Sequence, residues 1–474
     1  MNLVVSLPRR HFAALASALV LAGVALLSLV PSPALAAPDA ARIGDTVRSE
    51  LKKLDVPSAS VAVVVDGRLA YLEAIGQERL EPLRPASTKA RYEIGSNSKQ
   101  FLAAGILMLQ EEGKLSLDDK VGRYLLDMGP AGEVTLRQLL SHTAGIRDYW
   151  PQDYVFTRML SPISHQELLD RWARQPLDFT PGERWQYSNT GYVIAGLILE
   201  KVSGEPLFAF LHRHIFAPLH MSSAIDVDAT ALEASDALGY TRNGLGPLRP
   251  AVREGKGWLF AAGELAMTAE DLARWDISIM DRSLMRPASY REFESEVPLA
   301  NGIGSRYALG LSVKMSSERR VLAHNGGTSG FTSRNVIYPE QRAAIVVLTN
   351  SDAADAATSI ADKLQEIVFE SVSPIDQARQ EEARRVFDGL RQGKLDRVLL
   401  SSNANDYFTA EVIRDIASST ASLGDVKSFK LIQTGTRGGM DFRLYEIALG
   451  KGELDLVTRS LPDGKLEQFA IYPK

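Results

Sequence analysis

The pattern of apolar and polar positions divides the chain into clear stretches. Residues 41–54 carry apolar side chains at helical spacing. An apolar run, 60–65, is followed by Asp66-Gly67 and a second strand-like run, 68–74. Asp-Gly between two such runs predicts a hairpin, because both central residues of that tight turn need positive φ. Residues 96–112, with Phe101, Leu102, Ile106, Leu107 and Leu109 apolar, predict a helix packed on a core. The middle of the chain, about 115–281, reads mostly as helix and loop. Strand-like runs return at 308–313, 320–324, 334–338 and 343–349, and a helix at 354–369 follows. Beyond Ser371-Val372-Ser373-Pro374, which reads as a linker, the texture changes. Helices are predicted at 378–390 and 410–421. Strands at 427–434, 440–448, 453–459 and 465–472 form a meander whose last turn is Pro462-Asp463-Gly464.

This order predicts an α/β (α+β) architecture. An antiparallel sheet built from both ends of the first region is flanked by helices and stands beside a helical lobe. A cleft between two such lobes is a common place for an active site. A large first domain at 37–372 and a small α+β accessory domain at 373–474 are expected. The helix-then-meander pattern of the latter resembles the cone-shaped fold of nuclear-transport-factor-like domains.

Composition narrows the function. A chain of 474 residues suits two domains. Its formal net charge of −5 gives no basic footprint for nucleic acid. It has no cysteine, which excludes disulfides, thiolate catalysis, cysteine metal sites and a lipid-bearing N-terminal cysteine. Arg9 and Arg10, the uncharged apolar stretch 12–30 and Ala34-Leu35-Ala36 read as an export signal, residues 1–36, with its cleavage site. Beyond residue 37 no run is long enough to span a bilayer, so the mature chain is expected to be soluble and periplasmic or secreted.

Three short elements carry candidate chemistry. Ser96-Asn97-Ser98-Lys99 lies where a strand-like run gives way to a helix. One helical turn puts both side chains on one face. A serine hydroxyl needs a base to become a nucleophile, and burial beside a helix N-terminus lowers a lysine's pKa toward that role. Ser49-Glu50-Leu51-Lys52 has the same spacing and reads as a solvated helix face. Tyr187-Ser188-Asn189 supplies a tyrosine able to share a proton with the lysine and an asparagine able to donate to a substrate carbonyl. His324-Asn325-Gly326-Gly327 ends a strand-like run. Its glycines are expected to admit substrate backbone and Gly327 N–H to serve as an oxyanion donor beside that of Ser96. His324 is expected to donate either to a substrate carboxylate or to the Tyr187 oxygen.

The order Ser-x-x-Lys, Tyr-x-Asn, His-x-Gly resembles the penicillin-recognising serine enzymes: class C β-lactamases, D-alanyl-D-alanine carboxypeptidases, D-aminopeptidases and carboxylesterases of β-lactamase fold. Leu139 to Gly145, Thr268 to Leu272 and Leu348-Thr349-Asn350 add to the likeness, which covers about residues 41–369. The resemblance implies a β-lactamase/transpeptidase-like fold. It also implies acyl transfer through Ser96, with Lys99 and Tyr187 as a coupled proton-transfer pair and Asn189, His324, Gly326 and Gly327 binding substrate. No cofactor, metal or organic, is expected. The expected partner is a small-molecule or peptide-like substrate. Where β-lactamases carry Lys-Thr-Gly, this chain has His324-Asn325-Gly326. Loss of that fixed cation shifts expectation toward small esters or D-configured amides, with carboxypeptidase or weak β-lactamase activity as the alternative. The rival from another class is a non-catalytic binding or sensor protein on the same scaffold.

Overall fold

The computed structural model describes residues 38–152, 155–316, 319–369 and 374–474. The expected export signal, 1–36, and residues 371–373 of the expected linker lie outside the described residues. Helix α1 (Ala40–Leu54) begins at Asp39, whose side chain accepts from the Arg42 N–H, and ends at Asp55 in the left-handed region. Strand β1 (Ser58–Val65) is buried at every position, which is why it reads as an unbroken small and apolar run. It turns through Asp66 and Gly67, with φ of 52° and 72°, so that Val65 faces Arg68 at the start of β2 (Arg68–Leu80). After the short β3 (Leu83–Pro85) the chain leaves the sheet. It builds a helical lobe that includes α2 (Lys99–Glu111), α3 (Asn189–Ser203) and α4 (Ala269–Asp281).

The chain returns through β4 (Ser312–Ser316), β5 (Arg319–Thr328), β6 (Phe331–Tyr338), β7 (Ala343–Thr349) and α5 (Ala356–Phe369). The seven strands form one sheet in the order β3-β2-β1-β7-β6-β5-β4. β1 and β7, far apart in sequence, pair antiparallel near its centre, with Val61 opposite Val347. Alternate residues of the central strands serve two cores. Val61, Val63, Ile345 and Val347 pack with Val47 and Leu51 of α1 and with Ile360 and Leu364 of α5. Ala62, Val64, Val346 and Leu348 pack toward the lobe with Leu102, Ile106, Leu272 and Trp275. Each fully buried branched or aromatic side chain contributes about 1.5–3 kcal/mol, so the sheet is anchored on both faces. The strand expected at 308–313 instead begins at Ser312. Gly310 sits at φ 77° and the Ala308 N–H donates to the Leu311 carbonyl, so residues 308–311 turn rather than extend.

The chain divides into two compact units, Met1–Glu370 and Ser371–Lys474. The second contains α6 (Pro374–Arg391), α7 (Ala410–Ala421) and a four-stranded antiparallel meander, β8 (Val426–Arg437), β9 (Met440–Leu449), β10 (Gly452–Ser460) and β11 (Leu466–Pro473), paired in sequence order. Its own core gathers Phe387, Leu390, Phe429, Tyr445, Ile447, Leu456 and Phe469. Among the described residues no helix is long and apolar enough to cross a membrane.

Candidate active site

Tyr92 and Glu93 form a two-residue strand against Leu265–Met267, which delivers the chain to Gly95. Gly95 has φ 51°, and a Cβ there would lie 2.6 Å from the Gly327 nitrogen. Both the backbone conformation and this close approach therefore require glycine. A single 3₁₀ turn, Gly95–Ser98, then runs into α2. Buried polar contacts fix the turn. The Ser98 hydroxyl donates to the Gly95 carbonyl (2.7 Å) and accepts from Leu265 N–H (3.2 Å). Asn97 Nδ2 donates to Ser333 Oγ (2.8 Å), and the Ser333 hydroxyl donates to the Ile94 carbonyl (2.7 Å). Ser96 is left partly open to the cleft, whereas Ser49 and Lys52 of the second Ser-x-x-Lys are exposed on α1.

Lys99 has no exposed surface. Its Nζ lies 2.9 Å from Ser96 Oγ, 2.9 Å from Asn189 Oδ1 and 2.6 Å from the Ala262 carbonyl. Burial pulls its pKa down from 10.5 to about 7, against the pull of the Asp148 charge. In the neutral amine, two N–H groups satisfy Asn189 and Ala262, and the lone pair is left facing the Ser96 hydroxyl. Burial holds the Tyr187 pKa well above the ordinary tyrosine value, against its interaction with Ser96.

α3 places Asn189 at its first residue, with Ser188 as the cap accepting from Gly191 N–H. The role of Asn189 differs from the expected substrate donor. Its Oδ1 accepts from Lys99, while its backbone N–H and Nδ2 donate to Asp148 (3.0 and 3.3 Å), so it links the lysine to a buried carboxylate. Asp148 is raised by burial, against the Trp150 and Asn189 N–H groups and the Lys99 charge. His142, in the left-handed region at φ 59°, packs its ring on Tyr187 at 4.2 Å and accepts at Nδ1 from Ser188 N–H. Neither Asp148 nor His142 was singled out from sequence. Each acts across a distance in sequence, though His142 lies within the family-like stretch Leu139 to Gly145.

The third element needs correction. His324 is buried with both ring nitrogens engaged, Nδ1 with the Asn325 carbonyl (2.6 Å) and Nε2 with Tyr307 Oη (2.7 Å). A carbonyl only accepts, so Nδ1 carries the proton and Nε2 accepts from Tyr307. Burial and the Lys99 charge lower its pKa to about 3. His324 therefore meets neither a substrate carboxylate nor the Tyr187 oxygen; the residues of this strand that line the cleft are Asn325 to Thr328, followed by Ser329 of the turn. Gly326 is also reassigned. A Cβ there would lie 1.9 Å from the Ile94 carbonyl oxygen, so its missing side chain makes room for the turn that carries Ser96, whereas at Gly327 a Cβ meets nothing. β4 pairs with β5 only as far as Ala323. Thr328 and Phe331 close a two-residue hairpin, and in such a hairpin the next pair out, here Gly327 and Thr332, directs its N–H groups away from the partner strand. Gly327 N–H thus leaves the edge of β5 beside Ser96.

The cleft, about 1260 Å³, brings together Ser96, Tyr187, Asn189, Gly326 and Gly327. Tyr149, Trp150, Phe156, Trp172 and Leu259 give it an apolar side. Among the described residues its charged lining is four carboxylates, Asp148, Asp178, Asp352 and Asp355, against one guanidinium, Arg147, which pairs with Asp178 at 3.1 Å.

The sequence model of the β-lactamase family matches residues 43–368. The chain belongs to the β-lactamase family. Within this family it is 29% identical over 309 residues to penicillin-binding protein 4* of Bacillus subtilis, a match spanning 62% of this chain and 68% of that protein. Further curated relatives are matched over 62% of their own length, less than two thirds. Among solved structures, a D-stereospecific amidohydrolase from Streptomyces sp. is 27% identical, with TM-score 0.61 over 70% of this chain and 99% of that one. The octameric penicillin-binding protein homologue from Pyrococcus abyssi shares the fold at 22% identity, with TM-score 0.62 over 92% of this chain and 96% of that one.

Proposed function

We propose that the chain is an exported serine hydrolase that works through an acyl-enzyme, and that it prefers small esters or D-configured amides to β-lactams. The observation that carries the reaction is the buried Lys99 amine 2.9 Å from Ser96 Oγ, with a pKa near 7. Lys99 takes the Ser96 proton as Oγ attacks the carbonyl. The N–H groups of Ser96 and Gly327 receive the oxyanion. Tyr187, which stays protonated, relays the lysine's proton to the leaving group. The same pair then activates water against the acyl-enzyme.

The charge of the cleft supports the substrate class. No cation stands at position 324, and among the described residues four carboxylates outnumber one guanidinium along the walls, so a substrate carboxylate is repelled and a neutral or ammonium-bearing group is favoured. The likeness to a D-stereospecific amidohydrolase points the same way. A hydrogen bond to a charged group stabilises by roughly 1.5–3 kcal/mol, so its absence lowers kcat/KM for a carboxylate substrate by on the order of tenfold or more. The test is kcat/KM at neutral pH for p-nitrophenyl butyrate, D-phenylalanine amide and nitrocefin. Nitrocefin should come last; if it leads, the preference is wrong and a β-lactamase reading replaces it.

A further inference from the structure

The hairpin tip that follows the oxyanion strand is held by two carboxylates from outside the sheet. Glu254 Oε1 accepts from both Ser329 N–H and Ser329 Oγ at 3.0 Å. Asp352 Oδ2 accepts from Gly330 N–H at 2.8 Å. Gly330 is at φ 83° while Ser329 keeps negative φ, the sense of a type II turn, which matches the twist of the flanking strands less well than the primed turns do, so the tip gains from being held. Glu254 is also a costly clamp. It is 9% exposed, its Oε2 has no hydrogen-bond partner, and a second buried carboxylate, Glu93, lies against the adjacent Arg253 at 2.7 Å. Burying a carboxylate is costly unless it is paired or hydrogen-bonded, so the two bonds from Ser329 are what offset the burial of Glu254.

Two residues before Ser329 stands Gly327. Its N–H has no partner strand on the cleft side, and Gly95 approaches it so closely that a Cβ on Gly95 would collide with its nitrogen. The segment that carries Glu254 is itself pinned, Gly255 N–H to the Met159 carbonyl (2.7 Å) and Gly257 N–H to Asp228 (2.9 Å), and it ends on Ala262, whose carbonyl holds Lys99. One strap thus touches the tip of the oxyanion strand at one end and the base at the other.

We propose that Glu254 is a positioning residue for the oxyanion donor: by holding the Ser329 N–H and hydroxyl it fixes the end of β5, and with it the Gly327 N–H, against Ser96. The proposal rests on the serine-hydrolase reading above. An error of about 1 Å in such a donor costs on the order of 100-fold in rate, and the effect falls on kcat because the donor meets charge that develops only in the transition state. The experiment compares Glu254→Ala, Glu254→Asp and Glu254→Gln on p-nitrophenyl butyrate, with the rate of fluorophosphonate labelling measured beside it. Alanine removes the acceptor and aspartate withdraws it by one methylene. Both should lower kcat about 10- to 100-fold with KM changed less than about twofold. Glutamine keeps an acceptor oxygen and should hold kcat within about threefold. If the alanine variant does not fold, the aspartate variant, which keeps size and charge close to native, decides alone. Wild-type kcat in the aspartate variant, or a glutamine variant as slow as aspartate, overturns the proposal. A wild-type protein that neither labels nor turns over removes the serine-hydrolase reading itself, a different failure.

Discussion

Ser96 and Lys99 divide the chemistry by environment. Removing the Ser96 hydroxyl deletes the attacking oxygen and little packing, so Ser96→Ala should abolish turnover and fluorophosphonate labelling while leaving the melting temperature unchanged. Ser49→Ala on the exposed face of α1 should change neither. An acyl adduct on the Ser96→Ala protein, seen by mass spectrometry, would remove Ser96 from its role. On the proposed mechanism Lys99 sets the pH dependence. Its pKa falls from 10.5 to about 7 on folding, so the reactive amine is the minor form below pH 7 and the major form above it. kcat/KM should therefore rise with pH along a limb centred near 7; a limb centred above pH 9 would mean that the lysine is not the base. His324 has no part in that profile. With a pKa of about 3 it stays neutral through the physiological range, so acidification to pH 6 does not turn it into a receptor for a substrate carboxylate.

At the scale of elements, the site is a contact between the turn that opens α2 and the end of β5. Two neighbouring glycines on β5 have opposite tasks. At Gly326 an added methyl would strike the Ile94 carbonyl oxygen at 1.9 Å and Ser333 Oγ at 2.3 Å, both of which hold the nucleophile's turn. At Gly327 it would enter open space and leave the backbone N–H in place. Gly326→Ala should thus lose most activity and about 1–3 kcal/mol of stability by overpacking, while Gly327→Ala keeps its fold and hydrolyses a small ester within about threefold of wild type. Urea unfolding and ester kinetics on the two variants check this, and equal behaviour of both would contradict the assignment. The same contact leaves residues 324–328 with a free edge: β4 stops at Ala323, and a longer β4 would cover the Gly327 N–H.

At the scale of the whole molecule, the two units have separate cores. Residues of the first pack on both faces of the seven-stranded sheet, and those of the second on the four-stranded meander. All the residues gathered at the candidate site lie in the first. Residues 37–372 produced alone should therefore fold, with a cooperative melt by circular dichroism, and hydrolyse p-nitrophenyl butyrate at a rate within a few-fold of the full chain. Insoluble or inactive protein would show that the meander completes the first unit's core or its cleft.

What could be read from the sequence is what local periodicity and short spacing control. The Asp66-Gly67 hairpin, the apolar face of α2, the alternation along β9 and β10, and the one-turn separation of Ser96 and Lys99 all depend on neighbours within a few residues. The three motifs, in order, were also enough to point to the family. The rest belongs to the tertiary structure because it depends on what surrounds a group rather than on what adjoins it. Asp148 reaches Asn189 from 41 residues away, and Ser333 reaches Asn97 from 236. Lys99 and Tyr187 looked equivalent as bases until burial separated them, one amine lowered to about 7 and one phenol raised. His324 occupies the position of a substrate-binding cation in the motif, but its direction was set by Tyr307, which lies outside the three motifs and takes its Nε2. Spacing along a chain names the candidates. Desolvation and long-range contacts decide which proton each one holds and which way it faces.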